Sequence, residues 1–331
     1  MAEDRPAVGI TGLGIYVPAR VLTNLDLERM VDTSDAWIRE RTGIRERRIA
    51  AREEAASDVA VRAAREALDA AGLAPAEVDL IIVATSTPDM LFPATACLVQ
   101  DRLGAKRAAA FDLEAGCSGF VYGLAVGAQF IQTGFYRNVL LIGVDLLSRV
   151  TNWEDRSTCV LFGDGAGAVV LQPVEPPSGI LSIYLRADGS GGELLKMPAG
   201  GTRLPASAET VRERQHYLYM NGREIFKFAV RAMEEAALEA LRRAGVSQNE
   251  IGCFIPHQAN VRIIDALAKR LGLSPEKVMV NVDRYGNTSA ASIPIAFYEA
   301  VMSGKIRSGE SLVLLVAFGA GLTWGAVLLR Y

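Results

Sequence analysis

Histidine is nearly missing from this chain of 331 residues, with only His216 and His257. Cysteine is scarce as well: Cys97, Cys117, Cys159 and Cys253 stand far apart, with no C-x-x-C pair. These shortages exclude structural zinc and a disulfide framework, and they fit free thiols in a reducing, cytoplasmic setting. Excess charge is lacking too. The 35 basic residues face 38 acidic ones, a net charge of −3. The field of the whole molecule is therefore weak, nucleic acid is not an expected partner, and a charged partner must be steered by a local patch. There is no short-period repeat and no low-complexity tract, which excludes solenoids. One stretch, 311–329, carries no formal charge over a membrane-spanning length. Gly319, Gly321 and Gly325 interrupt it, and two buried strands joined at 319–321 fit it better, so no membrane partner is expected. Residues 1–6 are acidic and lead into a strand-like run, unlike a signal peptide.

What is present is ample core material: half of the residues are apolar and 22% are charged. The length suggests two domains or one doubled unit. Strands are expected at 8–17, 78–84, 108–113, 138–144, 159–171, 180–187, 252–256, 278–282, 312–318 and 322–329. Helices are expected at 25–30, 57–71, 93–103, 118–133, 224–244, 261–271 and 287–303, and another, capped by Ser34 or Asp35 and ended by Gly43, holds Trp37 and Arg41. The polar excursion 189–214 reads as a surface loop or lid. A seam near 175–178 divides the chain into 1–176 and 177–331. Each half repeats strand, Gly-rich turn, helix, which points to a duplicated α/β fold with parallel central strands and sites at strand ends. The G-D-G-A-G piece at 163–167 matches no phosphate-loop fingerprint and reads as close backbone packing.

The chemistry concentrates at such turns. In F-D-L-E-A-G-C-S-G-F (111–120), Cys117 sits between glycines where a strand gives way to a helix. A helix N-terminus favours a thiolate, so a nucleophile is one reading; a buried structural cysteine is the other. His257 follows a buried strand in C-F-I-P-H-Q-A-N, and Asn287 occupies R-Y-G-N-T-S-A-A-S. Gly319 and Gly321 form a fourth turn rich in free N–H groups. The cluster Arg41, Arg45, Arg47 and Arg48 can bind a phosphorylated ligand or form a solvated loop of Arg–Glu pairs. His216 lies in the polar excursion.

G-C-S-G-F, H-Q-A-N, Y-G-N-T-S-A-A-S and the terminal A-F-G-A-G-L-T-W-G resemble, in that order, β-ketoacyl-acyl carrier protein synthase III of the thiolase superfamily. The absence of a second histidine in a suitable turn favours its Cys-His-Asn branch. The resemblance implies a thiolase-like duplicated five-layered αβαβα fold and a homodimer. It implies a decarboxylative condensation of an acyl-CoA primer, acetyl or short or branched, with malonyl-acyl carrier protein, starting fatty acid synthesis. Cys117 would be acylated, the backbone N–H groups of Cys117 and Ala320 would form the oxyanion hole, and His257 with Asn287 would hold the enolate. The family usually has a further glycine where Ala320 stands. No metal or redox cofactor is implied, and coenzyme A enters as the thioester substrate. Trp37 and Arg156 resemble the pair that sandwiches adenine; Arg41, Thr42 and Asn260 match other CoA contacts. Phe92 matches the residue that closes the partner's acyl pocket. Lys227, Arg262, Lys269 and Arg270, with Arg231 beside them, would dock the acidic carrier protein. Arg223 stands where the family often has Asn and is set aside. A related acyltransferase or condensing enzyme of secondary metabolism, or a non-catalytic CoA-ester binding protein, are the rival readings.

Overall fold

A computed structural model describes residues 5–331; the acidic opening 1–4 lies outside the described residues. The uninterrupted apolar run Leu80–Ala84 (L-I-I-V-A) is buried along its whole length. Such a run belongs to a strand covered on both faces. Its alternate side chains do go opposite ways: Leu80 and Ile82 join one core cluster, Ile81 and Val83 another. This strand lies inside a five-stranded sheet ordered Ala7–Tyr16, Asp164–Val174, Val139–Leu146, Leu80–Ala84, Ala109–Leu113. The second sheet has four strands, ordered Cys253–Pro256, Leu312–Gly319, Thr323–Arg330, Gly179–Ala187.

Two helices lie between the sheets, Gly119–Gln132 and Ser292–Met302. Their Phe120, Leu124, Ile293 and Phe297 share a core with Leu141 and Leu171 of the first sheet and Val313 and Leu315 of the second. Both helices are apolar around much of their circumference, as helices covered on two sides must be. The amphipathic helices stay outside. Ala56–Ala71 and Thr95–Leu103 cover the far face of the first sheet. Gly222–Ala244 and Val261–Arg270 cover the far face of the second. The result is the expected five-layered αβαβα stack.

Several local expectations are corrected. Parallel pairing is confined to Leu80–Ala84 with its two neighbours and to Cys253–Pro256 with Leu312–Gly319; the remaining pairs are antiparallel. The tight turn at 320–322 dictates this for the last two strands, because a short connection can only return the chain alongside itself. They form a hairpin, and no helix among the described residues is long and apolar enough to cross a membrane. Residues 278–282 make no strand. Val278 forms one isolated bridge with Phe254, and a helical turn, Val282–Tyr285, follows. The Gln258 side chain takes over the work of a neighbouring strand: its Oε1 accepts the Asn281 and Val282 N–H groups. Residues 156–159 are likewise helical, with the Asp155 carboxylate accepting the Ser157 N–H, and the strand begins only at Asp164. The glycines of G-D-G-A-G do serve close packing, Gly167 lying against Pro294.

Candidate active site

Cys117 stands in a tight 3-10 turn, Gly116–Ser118, between the edge strand Ala109–Leu113 and the central helix. The turn requires glycine before the cysteine: Gly116 has φ +53°, and a Cβ there would lie 2.6 Å from the Ala320 nitrogen. The same proximity brings the hairpin turn against Cys117, since a Cβ on Gly319 would sit 2.5 Å from the Cys117 nitrogen. The Ala320 N–H donates to no protein acceptor among the described residues, and the Cys117 N–H to none beyond its own sulfur. Two available backbone donors thus flank the sulfur, as an oxyanion hole needs.

His257 follows the strand Cys253–Pro256 and is 4% exposed. Its Nδ1 lies 2.7 Å from the Ser292 hydroxyl. Burial pulls its pKa down to about 4, so the ring is neutral near pH 7. Asn287 is held by the opposite half of the chain: its N–H donates to the Leu161 carbonyl at 2.8 Å, and its own carbonyl accepts the Gly163 N–H at 3.0 Å. Its side-chain Oδ1 accepts the Ser289 N–H at 2.8 Å. The amide NH2 keeps no protein partner among the described residues and is left for a ligand.

Cys117, His257 and Asn287 line one cavity of about 640 Å³. The expected thiolate is corrected. Burial pushes the Cys117 thiol up to about 12, with the carboxylates of Asp145 and Glu114 adding to the effect. The Ser289 hydroxyl, donating to Sγ at 3.3 Å, opposes it without reversing it. Removal from water outweighs the helix N-terminus here.

Trp37, Arg41, Thr42, Asn260 and Arg262 line the same cavity. Ser34 caps the helix Asp35–Thr42 as expected, and Gly43 ends it. Arg156 places its guanidinium 5.1 Å from the centre of the Trp37 ring and donates to the Asp32 carbonyl. That separation leaves no room for a base between them, so an intercalating base must part the pair. Thr42 is buried, its hydroxyl donating to the Ile38 carbonyl. Asn260 caps the helix Val261–Arg270 and donates to the Arg41 carbonyl. Of the basic cluster only Arg41 reaches the cavity. Arg47 is withdrawn from it completely, at 0% exposure, donating to the Leu22 and Val160 carbonyls and to Asn24 Oδ1.

Arg223 and Arg262 both stand at the cavity wall. Lys227 pairs with Glu224, Arg270 pairs with Glu234 across the two outer helices, and Arg231 lies over the Phe228 ring. Lys269 is exposed. Phe92 is 84% exposed and takes no part in its own chain's cavity. His216 hydrogen-bonds Thr210 within the excursion and lies outside the cavity.

Sequence reasoning missed four contributors. Leu195–Lys196 pairs with Tyr219–Met220, and this ribbon with its flanks lends Leu195, Met197, Leu218 and Met220 to the cavity, so part of the excursion and the segment after it form a wall. Ser289 and Ser292 touch Cys117 and His257, respectively. Asp145, at 0% exposure, accepts from Thr85, Ser86, Thr87 and the Ala290 N–H, joining the halves beneath the site. A lone carboxylate in the apolar strand Val139–Leu146 was the available signal.

The family models described as 3-Oxoacyl-[acyl-carrier-protein (ACP)] synthase III and its C-terminal part match residues 111–189 and 241–331. A Beta-ketoacyl-[acyl-carrier-protein] synthase III from Symbiobacterium thermophilum is 63% identical, covering 98% of each chain. Its counterpart from Desulfitobacterium hafniense is 60% identical, again covering 98% of each. The crystal structure of 3-oxoacyl-[acyl-carrier-protein] synthase III from Aquifex aeolicus superposes with a TM-score of 0.90 at 55% identity, covering 98% of this chain and 100% of that one.

Proposed function

The chain belongs to the 3-oxoacyl-[acyl-carrier-protein] synthase III family, and from that premise we propose how its chamber divides the labour. The enzyme is an acyltransferase that carries out the initiating condensation of fatty acid synthesis, from an acyl-CoA and malonyl-acyl carrier protein. The Cys117 sulfur attacks the thioester carbon of the acyl-CoA. The Cys117 and Ala320 N–H groups hold the oxyanion, and the thiol proton leaves with the CoA sulfur. Malonyl-carrier protein then enters and loses CO2. Its thioester oxygen becomes an enolate oxygen, facing the neutral His257 ring and the Asn287 amide. The carbanion attacks acyl-Cys117, the C–S bond breaks, β-ketoacyl-carrier protein departs, and the Cys117 thiolate left behind takes a proton from water to restore the thiol.

The observation that carries this reading is the convergence of Cys117, His257 and Asn287 on one cavity beside two available backbone donors. Neutral donors suit it: a hydrogen bond from an uncharged ring or amide stabilises an enolate without first having to bind a proton. Further parts of the reading are proposals of the same rank. The primer is acetyl-CoA or a short or branched relative, with no added cofactor. Trp37, Arg41 and Arg156 hold the nucleotide end. Arg262 and Lys269 face the carrier protein. The protein works in the cytoplasm as a homodimer, with Met90, Leu91 and Phe92, all exposed in the single chain, covered by the partner.

The test separates the half-reactions. Asn287→Ala should still accept an acyl group from acyl-CoA on Cys117, read by intact mass, yet lose condensation by about a hundredfold or more. Equal loss of both would overturn the assignment.

A further inference from the structure

The inference rests on the division of labour above and concerns how His257 is made a donor. The imidazole can serve the enolate only if Nε2 carries the proton; with the proton on Nδ1 it would offer the oxygen a lone pair instead. Ser292 stands in the first turn of the central helix Ser292–Met302 and is buried. Its Oγ lies 2.7 Å from Nδ1 and accepts the Gln258 N–H at 3.3 Å. No other partner of this hydroxyl exists among the described residues. A hydroxyl has one hydrogen to give, and here the ring nitrogen is the sole acceptor within reach. The opposite arrangement, with Nδ1–H donating to Oγ, would strand a buried hydroxyl hydrogen, which folded proteins avoid.

Asn287 is polarised in a parallel way. The Ser289 N–H occupies its Oδ1 and leaves the NH2 facing the chamber. Ser289 and Ser292 thus belong to one short run, N-T-S-A-A-S, and each turns one of the two donors toward the same place. We propose that Ser292 is a positioning residue that locks His257 as the Nε2–H tautomer, so that the ring presents its only N–H to the enolate oxygen.

The test uses the full-length protein with 15N-labelled histidine rings. With two histidines in the chain, His216→Asn assigns the signals. The wild-type His257 should show a protonated Nε2 and a bare Nδ1. Ser292→Ala should shift the ring toward a mixture, lower malonyl-carrier protein decarboxylation by about tenfold or more, and change the acylation of Cys117 far less. Ser292→Cys, which keeps a weak donor, should restore part of both. A wild-type ring protonated at Nδ1 would sink the proposal, and that spectrum is readable even if Ser292→Ala fails to fold. So would an unchanged tautomer in Ser292→Ala, or an equal fall of both half-reactions. A shifted tautomer with undiminished decarboxylation would uphold the lock and remove His257 from the enolate site instead.

Discussion

Cys117 keeps its proton in the free protein, because burial costs its anion more than the helix N-terminus returns. Alkylation of Cys117 by iodoacetamide, followed by peptide mapping, should therefore rise about tenfold per pH unit from pH 7 to 9.5; a plateau below pH 8 would contradict the raised value. His257 errs in the other direction. Its unfolded pKa of 6.5 falls to about 4 in the fold, so between those values the unfolded chain binds more protons. Stability from this group is intact above pH 6.5 and is lost as pH falls through that window, by roughly 3 kcal/mol in all. Urea midpoints at pH 7 and pH 4.5 should reveal this slope in the wild type and a shallower one in His257→Gln. At this scale the positions of Cys117, His257 and Asn287 could be picked out, since each stands at a polar or Gly-rich turn, although only His257 follows a buried strand. The protonation state of the thiol was not, because its burial depends on how segments distant in sequence pack around it, and the charge of Asp145 adds to that from another strand.

Elements show where local pattern yields to tertiary bonding. Residues 278–282 read as a strand by composition, yet Gln258 satisfies their backbone and releases them into a helical turn. Gln258 also donates to the Pro256 and Met279 carbonyls, so it ties the His257 loop to the segment leading to Asn287. Gln258→Ala should cost about 2–4 kcal/mol in urea unfolding, since four buried backbone groups lose their partner; a cost under about 1 kcal/mol would deny it that role. The outer helices raise a different question. Their basic residues were visible in the sequence, but Glu224 and Glu234 neutralise Lys227 and Arg270 in the fold, a pairing the sequence alone did not disclose. Docking should then depend on Arg262 more than on Lys227. Arg262→Glu should raise the KM for malonyl-carrier protein about tenfold, Lys227→Glu by less, because an exposed ion-paired charge counts for little. Equal effects would move the docking site along the helix.

In the whole molecule, the strand Ala109–Leu113 ends the first sheet with one edge unpaired, and Phe92 projects from an exposed apolar loop. Bare edges and apolar loops call for cover. Light scattering should give the mass of a dimer. The double change Leu91→Glu with Phe92→Glu should give a monomer that loses activity with longer primers first; an unaltered dimer would place the contact elsewhere. The doubled plan was legible because each half repeats its strand-turn-helix order. The mixed strand directions were not, because direction is fixed by how short a connection is, and strand composition is silent on that.

Asn287 hangs by its backbone from Leu161 and Gly163, on the far side of the seam. A duplication ordinarily frees one copy to drift. Here Asn287 of the later half is suspended from main-chain atoms of the earlier one, so neither can wander alone. Lengthening the link between them would leave both cores intact and still slacken the joint that holds the amide proposed to serve carbon–carbon bond formation.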